Sequence, residues 1–510
     1  MTASSVTGTL AERESGQAMG AAGDQPIGGL RQSAVKGAFF TSLAQVAKLI
    51  VQFGSVIVLS RLLSPADFGL FAMVAPLYGL ALIFQDFGLG HATVQSAQVT
   101  PAQSSALFWL NIAVSLCLAV PLIFGAPLVG WFYHDERLVA LTRSFAVVIV
   151  VGALGAQHSA LLNRSIRFRY LAALDATAAL AGFLGAMLLA AIFHTYWALF
   201  AAAAIGSTVT ATGAWLGTRF VPRLPRGESG VWPMVRLGAG ITGYNVSTFI
   251  ARNLDNVLIG RVWGDAPLGL YDRAYKLLLF PLLQINAPLA RVMLPMLARL
   301  RTDGPRYRSA YLQAVNQLLL VTQPGIVFAI ATADIFVPIL LGNDWRAAAP
   351  IFQWLGVAAL LQPFSVATNW LFISQGRSRA YALWGAFNAV ICAVAFCVGL
   401  PWGPIGVAAA YSISQVLLRS PVVLWIATRT GPVRLRDLCS IGTMHALAGA
   451  VSFIAIVVAR RAVPLEGVPA LAVLLCLSYA ITLLVLAFIP SGRTALRESM
   501  SIVTLIASRA

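Results

Sequence analysis

Two polar stripes on otherwise apolar helices hold the residues whose types and spacing suggest chemistry. Spacings of three or four residues place each stripe on one helical face. The first stripe consists of Gln45, Lys48, Gln52 and Ser55, and the second of Asn245, Thr248, Arg252 and Asp255. Lys and Arg donate strong hydrogen bonds to phosphate and carboxylate oxygens. Lys48 and Arg252, facing each other across a water-filled cavity, would bind a diphosphate or an acidic sugar.

Other charged side chains also fall at predicted membrane depth, where insertion costs at least about 2.5–3.5 kcal/mol each. They are Asp86, Asp175, Asp272, Arg273, Lys276, Arg291, Asp334 and Arg419. We predict a cationic substrate path lined by Lys48, Arg252, Lys276, Arg273, Arg419, Gln45, Gln52 and Asn245. The alternatives are internal ion pairs or snorkelling, including an i,i+3 pair between Arg252 and Asp255. Asp255 or Asp272 is a candidate site for a coupling H⁺ or Na⁺, because burial favours a protonated carboxyl group.

No motif predicts a catalytic, metal or cofactor site. Residues 238–243 read GAGITG, but no strand precedes them, and small residues that permit close helix packing explain them better. The five histidines lack metal-ligand spacing, and the five cysteines form no CxxC pair. We therefore expect no enzyme activity, no metal and no cofactor.

Composition predicts an integral membrane protein. The 510 residues are 59% hydrophobic and only 10% charged, and the mean hydropathy is +0.81. The apolar residues form blocks long enough to cross a bilayer as helices, which takes roughly 20 residues each. The net charge of +17 lies mostly in short connectors, as the positive-inside rule requires, so nucleic acid is not an expected partner.

We predict an all-α protein with about fourteen transmembrane helices. Their approximate positions are 37–60, 69–90, 105–131, 138–161, 171–193, 196–218, 237–260, 268–298, 311–341, 348–373, 381–400, 404–428, 438–460 and 468–489. Most of the 35 Lys and Arg residues fall in alternate connectors, which predicts cytoplasmic N- and C-termini. Pro281, Pro288 and Pro295 should kink the eighth helix.

An internal repeat divides the chain into two lobes. LSRLLSPADFGLF (59–71) resembles IGRVWGDAPLGLY (259–271), at a spacing of 200 residues. The spacing covers six helices, so both copies have the same orientation, as in transporters built from parallel repeats. The predicted units are a disordered cytoplasmic tail (1–33), a six-helix lobe (34–220), a basic cytoplasmic linker (221–236), a second six-helix lobe (237–430), two additional helices (431–490) and a cytoplasmic tail (491–510).

Three segments resemble a known family. SRLLSPADFGLFAMVAPLYGLALIFQDFGLGHATVQ (60–95) is similar to the start of the Wzx-type polysaccharide exporters, relatives of the MATE exporters and the lipid II flippase. NLDNVLIGRVWGDAPLGLYDRAYKLLLFPL (253–282) resembles the second lobe of the exopolysaccharide-exporter branch, and LGNDWRAAAPIFQWLG (341–356) a third family segment. The resemblance runs from about residue 33 to the end of the chain.

The resemblance implies a flippase of the bacterial inner membrane that carries undecaprenyl-pyrophosphate-linked oligosaccharides outward by alternating access. It implies two six-helix lobes in a V shape and two further helices. The implied partners are that lipid-linked substrate, membrane lipids, a coupling H⁺ or Na⁺, and polysaccharide polymerase or export machinery. The alternative is a MATE-like ion-coupled exporter of small molecules, which would need an acidic cavity. A scaffolding protein and a membrane glycosyltransferase are further alternatives.

Overall fold

The computed structural model describes residues 27–86, 90, 93–94, 96, 99–218, 220–224, 235, 246, 249, 252–462 and 467–507. Side chains are described for the same residues apart from 27–44, 86, 287 and 499–507. The described chain is helical nearly throughout. We label its helices α1 to α18 in chain order.

The first lobe contains six helices. They are α1 (Ile27–Leu62), α2 (Pro65–Asp86), α3 (Pro101–Tyr133), α4 (Arg137–Arg164), α5 (Phe168–Phe193) and α6 (Trp197–Thr218). Prolines stand at the starts of α2 and α3, where a missing N–H costs nothing. Thr100 closes a capping box with Gln103 at the start of α3. Helix α1 begins at Ile27, inside the segment that the sequence predicted as a tail.

The second lobe repeats this arrangement with more interruptions. Its described helices are α7 (252–263), α8 (Asp265–Arg299), α9 (Gly304–Ala331), α10 (Ala333–Leu341), α11 (Ala349–Leu360), α12 (Gln362–Ser374), α13 (Ser378–Gly399), α14 (Gly403–Ser414) and α15 (Ser420–Thr428). Helix α8 bends by 40° between Asn286 and Pro288, which confirms the predicted proline kink. A π-helical turn, Gln415–Arg419, separates α14 from α15.

Three helices follow: α16 (Leu435–Ala462), α17 (Gly467–Phe488) and α18 (Pro490–Ala507). Helices α16 and α17 are tied to α9 and α10 of the second lobe by polar contacts. The Tyr479 hydroxyl donates to the Val321 carbonyl at 2.7 Å, and Arg460 pairs with Asp334 at 2.6 Å. Asp334, one of the charged residues predicted at membrane depth, is therefore paired with Arg460 of the added helix α16. Helix α18 occupies the segment that the sequence predicted as a tail.

The number of membrane spans differs from the prediction. Within the described ranges, eleven helical stretches are long and apolar enough to cross a membrane, and the bent α8 would make a twelfth. One of the eleven, Ser378–Thr428, contains both α13 and α14–α15, whose backbones approach closely at Gly399 and Gly406. The predicted span 237–260 lies outside the described residues up to 251, apart from 246 and 249. The count of fourteen is therefore not confirmed.

The repeat extends to the other end of each lobe, where an arginine binds the end of a helix. Arg167 donates to the Gly217 carbonyl at 2.8 Å, where α6 ends. Arg377 donates to the Ala427 carbonyl at 2.8 Å, where α15 ends. Both pairs are related by a shift of 210 residues. Cations are favourable at helix C-termini because the last carbonyls have no intrahelical partner.

We predict that Arg377→Ala lowers the free energy of unfolding by about 2 kcal/mol, since hydrogen bonds from a charged donor are lost. The measurement is thermal unfolding of the purified protein in zwitterionic detergent. Arg379→Ala is the matched control, because Arg379 is exposed and makes no hydrogen bond or ion pair in the described part of the chain. Equal melting temperatures for the two variants would contradict a capping role for Arg377.

Candidate functional site

The two lobes meet where α2 crosses α8, and two glycines of the repeat lie at the crossing. A Cβ atom on Gly69 would lie 1.8 Å from the Asp265 carbonyl oxygen. A Cβ atom on Gly269 would lie 1.8 Å from the Pro65 carbonyl oxygen. The two contacts are related by the repeat spacing, because 65 corresponds to 265 and 69 to 269. The crossing is therefore a nearly two-fold symmetric, backbone-to-backbone contact that only glycine permits.

A matching pair of arginines flanks this crossing. Arg61, at the end of α1, donates to the Ile339 carbonyl of α10 at 2.6 Å. Arg261, its repeat partner on α7, has its guanidinium carbon 5.6 Å from the centre of the Phe132 ring on α3. Each arginine thus reaches from its own lobe to the end of a helix in the other lobe. The Trp345 indole adds a 2.6 Å hydrogen bond to the Ser60 carbonyl.

One ion pair between the lobes has no repeat counterpart. Arg137 contacts Asp265 of the second lobe at 2.7 Å and Asp135 of its own lobe at 2.6 Å. Burial opposes ionisation of Asp135, but the hydrogen bonds and charge of Arg137 outweigh it and lower the pKa of that carboxyl group. The stability that ionised Asp135 contributes is fully present above the ordinary pKa of a carboxyl group. It is lost only as the pH falls through the lowered pKa of Asp135. This tie should therefore not change near neutral pH.

Contacts between the lobes continue beyond this closed end, since a Cβ atom on Gly79 of α2 would lie 2.5 Å from the ring of Phe249 in the second lobe. Farther along, Phe53 of α1 still contacts Phe280 of α8, with ring centres 5.6 Å apart. Beyond that level α8 bends at Pro288, and its side chains Pro288, Arg291 and Val292 are exposed. The hydrogen bonds that join the lobes in the described structure are made by Ser60, Arg61 and Arg137, at the closed end. In the described residues the lobes are thus hydrogen-bonded to each other at the end opposite the basic connectors.

Lys48 lies on α1, away from the closed end, and is paired within its own lobe. Its ammonium group is 3.2 Å from the Asp175 carboxylate of α5. The lysine and aspartate side chains are 28% and 53% exposed, so the ion pair is in contact with solvent. Asp175 offsets the charge of Lys48. Gln45 and Gln52 are exposed on the same helix. Asn245, from the second stripe, lies outside the described residues.

Arg252 and Asp255 on α7 have different surroundings. Arg252 is exposed and makes no hydrogen bond or ion pair with any described residue. Asp255 is 5% exposed and accepts a 2.9 Å hydrogen bond from the Tyr271 hydroxyl. The i,i+3 ion pair that the sequence allowed does not form between these two side chains. Arg252 is thus the exposed cation of the second stripe.

Three charged residues of α8 lie next to the crossing. Asp272 contacts the Lys276 ammonium at 2.8 Å and the Arg273 guanidinium at 3.7 Å. Arg273 is 8% exposed, and its guanidinium carbon lies 3.9 Å from the centre of the Phe68 ring in the first lobe. Lys276 keeps a side chain that is 43% exposed. In this conformation Arg273 is part of the contact between the lobes, while Lys276 reaches solvent.

Arg419 lies inside the second lobe, away from the surface that the sequence assigned to it. It is 2% exposed, donates to the Cys392 sulfur at 2.9 Å and to the Tyr411 carbonyl at 3.0 Å. Its guanidinium also lies 4.1 Å from the centre of the Tyr411 ring. The π-helical turn that ends at Arg419 shifts the helical register, and such turns often occur at functional positions. No described carboxylate pairs with this guanidinium, and its buried Nε has no described hydrogen-bond partner.

Sequence reasoning did not predict the contacts at the crossing. Phe68 contacts the Arg273 guanidinium and Phe71 lies 6.0 Å from the Lys276 ammonium, and neither phenylalanine was among the predicted site residues. The available signal was the pair of glycines at matching repeat positions, 69 and 269. Glycine conserved between two copies of a repeat indicates a close backbone approach.

Comparison with known proteins places the chain in a family. A family model described as "Polysaccharide biosynthesis protein" matches residues 58–350, which is more than half of the chain. The chain belongs to this family. Its closed end and the α2–α8 crossing both lie within the matched residues. The family assignment confirms the resemblance found in the sequence.

Two curated relatives and one solved structure extend the comparison. The lipopolysaccharide biosynthesis protein WzxC of Escherichia coli (strain K12) is 24% identical over 395 residues, covering 76% of this chain and 80% of that protein. The succinoglycan biosynthesis transport protein ExoT of Rhizobium meliloti (strain 1021) is 25% identical over 351 residues, covering 68% and 70%. The lipid II flippase MurJ, in an inward closed conformation, aligns with a TM-score of 0.71 at 13% identity, covering 88% and 98%. The family member described here therefore has the MurJ fold.

We predict that Gly269→Leu separates the lobes at the closed end, because a side chain there meets the Pro65 backbone. The measurement is the distance between spin labels on cysteines at Glu136 and Asp344, which are exposed on opposite lobes. Exposed Cys117, Cys397, Cys439 and Cys476 are first replaced by serine. The mean distance should rise by about 2–4 Å, the difference between a glycine-mediated crossing and an ordinary helix contact.

Gly54→Leu is the matched control for this experiment, because a Cβ atom there meets nothing within 4 Å. It should leave the distance unchanged. An unchanged distance in Gly269→Leu, with the protein still folded, would show that the backbone contact does not set the closure.

Proposed function

We propose that this protein is a flippase that moves undecaprenyl-pyrophosphate-linked oligosaccharide units from the cytoplasmic to the outer leaflet by alternating access. It would act in the bacterial inner membrane, for exopolysaccharide or lipopolysaccharide biosynthesis, and not as an enzyme. The observation that carries the proposal is a two-lobed fold whose lobes are hydrogen-bonded at one end, with an exposed cation, Arg252, away from that end. The family, the transport named for ExoT and the MurJ fold support it.

The proposed orientation puts the end opposite the crossing and both termini in the cytoplasm. The connectors at that end carry Arg164, Arg167, Arg299 and Arg377, and short loops rich in arginine stay on the cytoplasmic side. In this orientation substrate would enter from the inner leaflet. The predicted linker 221–236 would join the two lobes on the same side.

Arg252 is the proposed contact for the pyrophosphate. It is exposed, unlike Arg273 and Arg419, and no described carboxylate neutralises it, unlike Lys48. A guanidinium in a partly dry cavity gives two parallel hydrogen bonds to phosphate oxygens. Lys276 is a second cation with an exposed side chain, although Asp272 shares its charge. Gln45 and Gln52, both exposed on α1, are the proposed contacts for sugar hydroxyls from the first lobe.

Asp255 is the better candidate for ion coupling. Asp272 is already balanced by Lys276 at 2.8 Å and Arg273 at 3.7 Å. Asp255 is buried and accepts hydrogen bonds from Tyr271 and the Asn256 backbone, without a described cationic partner. A buried carboxyl group without a counter-charge gains the most from binding H⁺ or Na⁺.

The first experiment measures lipid-linked glycans and surface polysaccharide in a strain that lacks the gene, with and without its restoration. The proposal expects surface polymer to be lost and undecaprenyl-linked repeat units to accumulate inside the cell. Unchanged polymer and glycan pools would contradict it and direct attention to drug export.

We predict that Arg252→Ala lowers polymer export by roughly tenfold at normal protein level, as expected for the loss of one charged hydrogen-bond donor to phosphate. Arg346→Ala is the control, because Arg346 is also exposed but lies beyond the closed end. The measurement is surface polysaccharide per unit of membrane-inserted protein. Normal export by Arg252→Ala would remove this residue from the transport path.

We also predict that Lys48→Glu harms export more than Lys48→Gln does. The glutamate would stand beside Asp175 and would reverse the local field that the pyrophosphate meets. A Lys48→Asp/Asp175→Lys exchange separates the two causes in the same export assay, because it restores the ion pair. Equal export by Lys48→Glu and Lys48→Gln would show that charge at this position is not important.

A further inference from the structure

Three connectors of the second lobe come together at the end opposite the α2–α8 crossing. They join α8 to α9, α12 to α13 and α15 to α16. A Cβ atom on Gly431 would lie 2.9 Å from the Gln375 amide nitrogen, and one on Gly376 would lie 3.7 Å from the Arg301 guanidinium. The Tyr307 hydroxyl contacts Ser374 at 2.7 Å and Gln375 at 3.3 Å. The connectors therefore form one fixed surface.

This surface, residues 299–308, 374–379 and 428–437, contains nine arginines and only two aspartates, a net charge of +7. Both aspartates are engaged. Asp437 binds Arg308 through two hydrogen bonds of 2.7 and 2.5 Å. Asp303 caps α9 through the Arg306 backbone amide at 3.1 Å and contacts the Arg306 side chain at 3.3 Å. Arg377 donates to the Ala427 carbonyl at the end of α15, the helix that it caps.

Six exposed arginines are left whose side chains form no ion pair among the described residues, and we call them the basic platform. They are Arg299, Arg301, Arg379, Arg429, Arg434 and Arg436. The positive-inside rule accounts for arginines in each connector separately. It does not require that three connectors, over 130 residues of sequence, bring them to one surface.

Neighbouring side chains place the basic platform at the level of lipid headgroups. The Arg429 guanidinium lies 4.9 Å from the centre of the Trp425 ring, which is 52% exposed, and tryptophan is enriched at membrane interfaces. Helix α18 packs Leu496 against Met444 and Leu486 while Arg493 and Arg497 are exposed. A helix with an apolar packed face and an exposed basic face is typical of the membrane surface.

We propose that the basic platform binds the headgroups of anionic phospholipids. Charge complementarity, the neighbouring Trp425 and the basic face of α18 favour a lipid surface over an acidic soluble protein. The platform is built from connectors at the end of the second lobe, whereas Arg252 lies on α7. Lipid binding here would anchor one lobe and leave the other to move. The proposal does not depend on what the protein transports or on its orientation.

The test uses the purified full-length protein in neutral detergent, with dioleoyl phosphatidylglycerol or dioleoyl phosphatidylcholine added in mixed micelles. The readout is the lipid concentration that gives half of the maximal rise in melting temperature. The platform variant is Arg379→Gln/Arg434→Gln, and the control is Arg346→Gln/Arg461→Gln, two exposed arginines at the closed end. We expect phosphatidylglycerol to act on the native protein, and the platform variant to need roughly tenfold more of it.

The control variant should stay within about twofold of the native protein. Equal responses to both lipids, or an unchanged half-maximal concentration in the platform variant, would overturn the proposal. A response to undecaprenyl phosphate in phosphatidylcholine that exceeds the response to phosphatidylglycerol would assign these cations to the lipid-linked substrate instead, and would also overturn it. None of these outcomes depends on transport.

If the glutamine variant does not fold, the proposal is tested with the Arg379→Lys/Arg434→Lys variant and with the salt dependence of the native protein. The lysine variant should keep the response, because the surface charge is unchanged. The response of the native protein should fall as ionic strength rises. A response to phosphatidylglycerol that is independent of salt would contradict headgroup binding by this surface.

Discussion

The contact on which the rest of the structure depends is the backbone crossing of α2 and α8. Gly69 lies against the Asp265 carbonyl and Gly269 against the Pro65 carbonyl, so the lobes touch without side chains between them. That approach brings Arg61 to the Ile339 carbonyl and Phe68 to the Arg273 guanidinium. Closure of this end is thus a geometric consequence of two small residues.

The distribution of charge follows from this geometry. Inside a lobe or between lobes, a charged group needs a partner, since an unpaired charge in a low dielectric is costly. Lys48 has Asp175, Asp272 has Lys276, and Arg273 has Phe68. Arg252 has no such partner among the described residues, and its position is consistent with exposure to water. The presence of charge at membrane depth therefore says little about function until its neighbours are known.

The dependence on neighbours that are distant in sequence also explains which features the sequence could predict. Apolar runs predicted most helices, the repeat predicted the two lobes, and the prolines predicted the bend of α8, because each depends on residues close in sequence. The Lys48–Asp175 pair joins residues 127 positions apart, so it appeared only as one alternative. Arg419 was assigned to the cavity because sequence gives depth but not direction. It points into the second lobe, where Tyr411 and Cys392 hold it.

The two copies of the repeat have diverged where they meet. In the first copy Ser64 and Asp67 cap the start of α2, with the Ser64 hydroxyl 2.6 Å from the Asp67 carboxylate. In the second copy the acidic residue is Asp265, which binds Arg137 of the opposite lobe. A local cap has thus been replaced by a tie between lobes, and the symmetric frame is held by an asymmetric ion pair.

That ion pair is half exposed at Arg137, and such pairs contribute only about 0–1 kcal/mol. Buried apolar contacts around Phe68 and Trp345, whose ring centres are 5.3 Å apart, must supply most of the stability of the closed end. A conformation that opens this end has to recover comparable burial elsewhere. Helix α8 carries suitable surface beyond the crossing, where Leu283 and Val292 are 47% and 63% exposed. Exchange of apolar burial between the two ends of α8 would allow the lobes to alternate without a large difference in free energy.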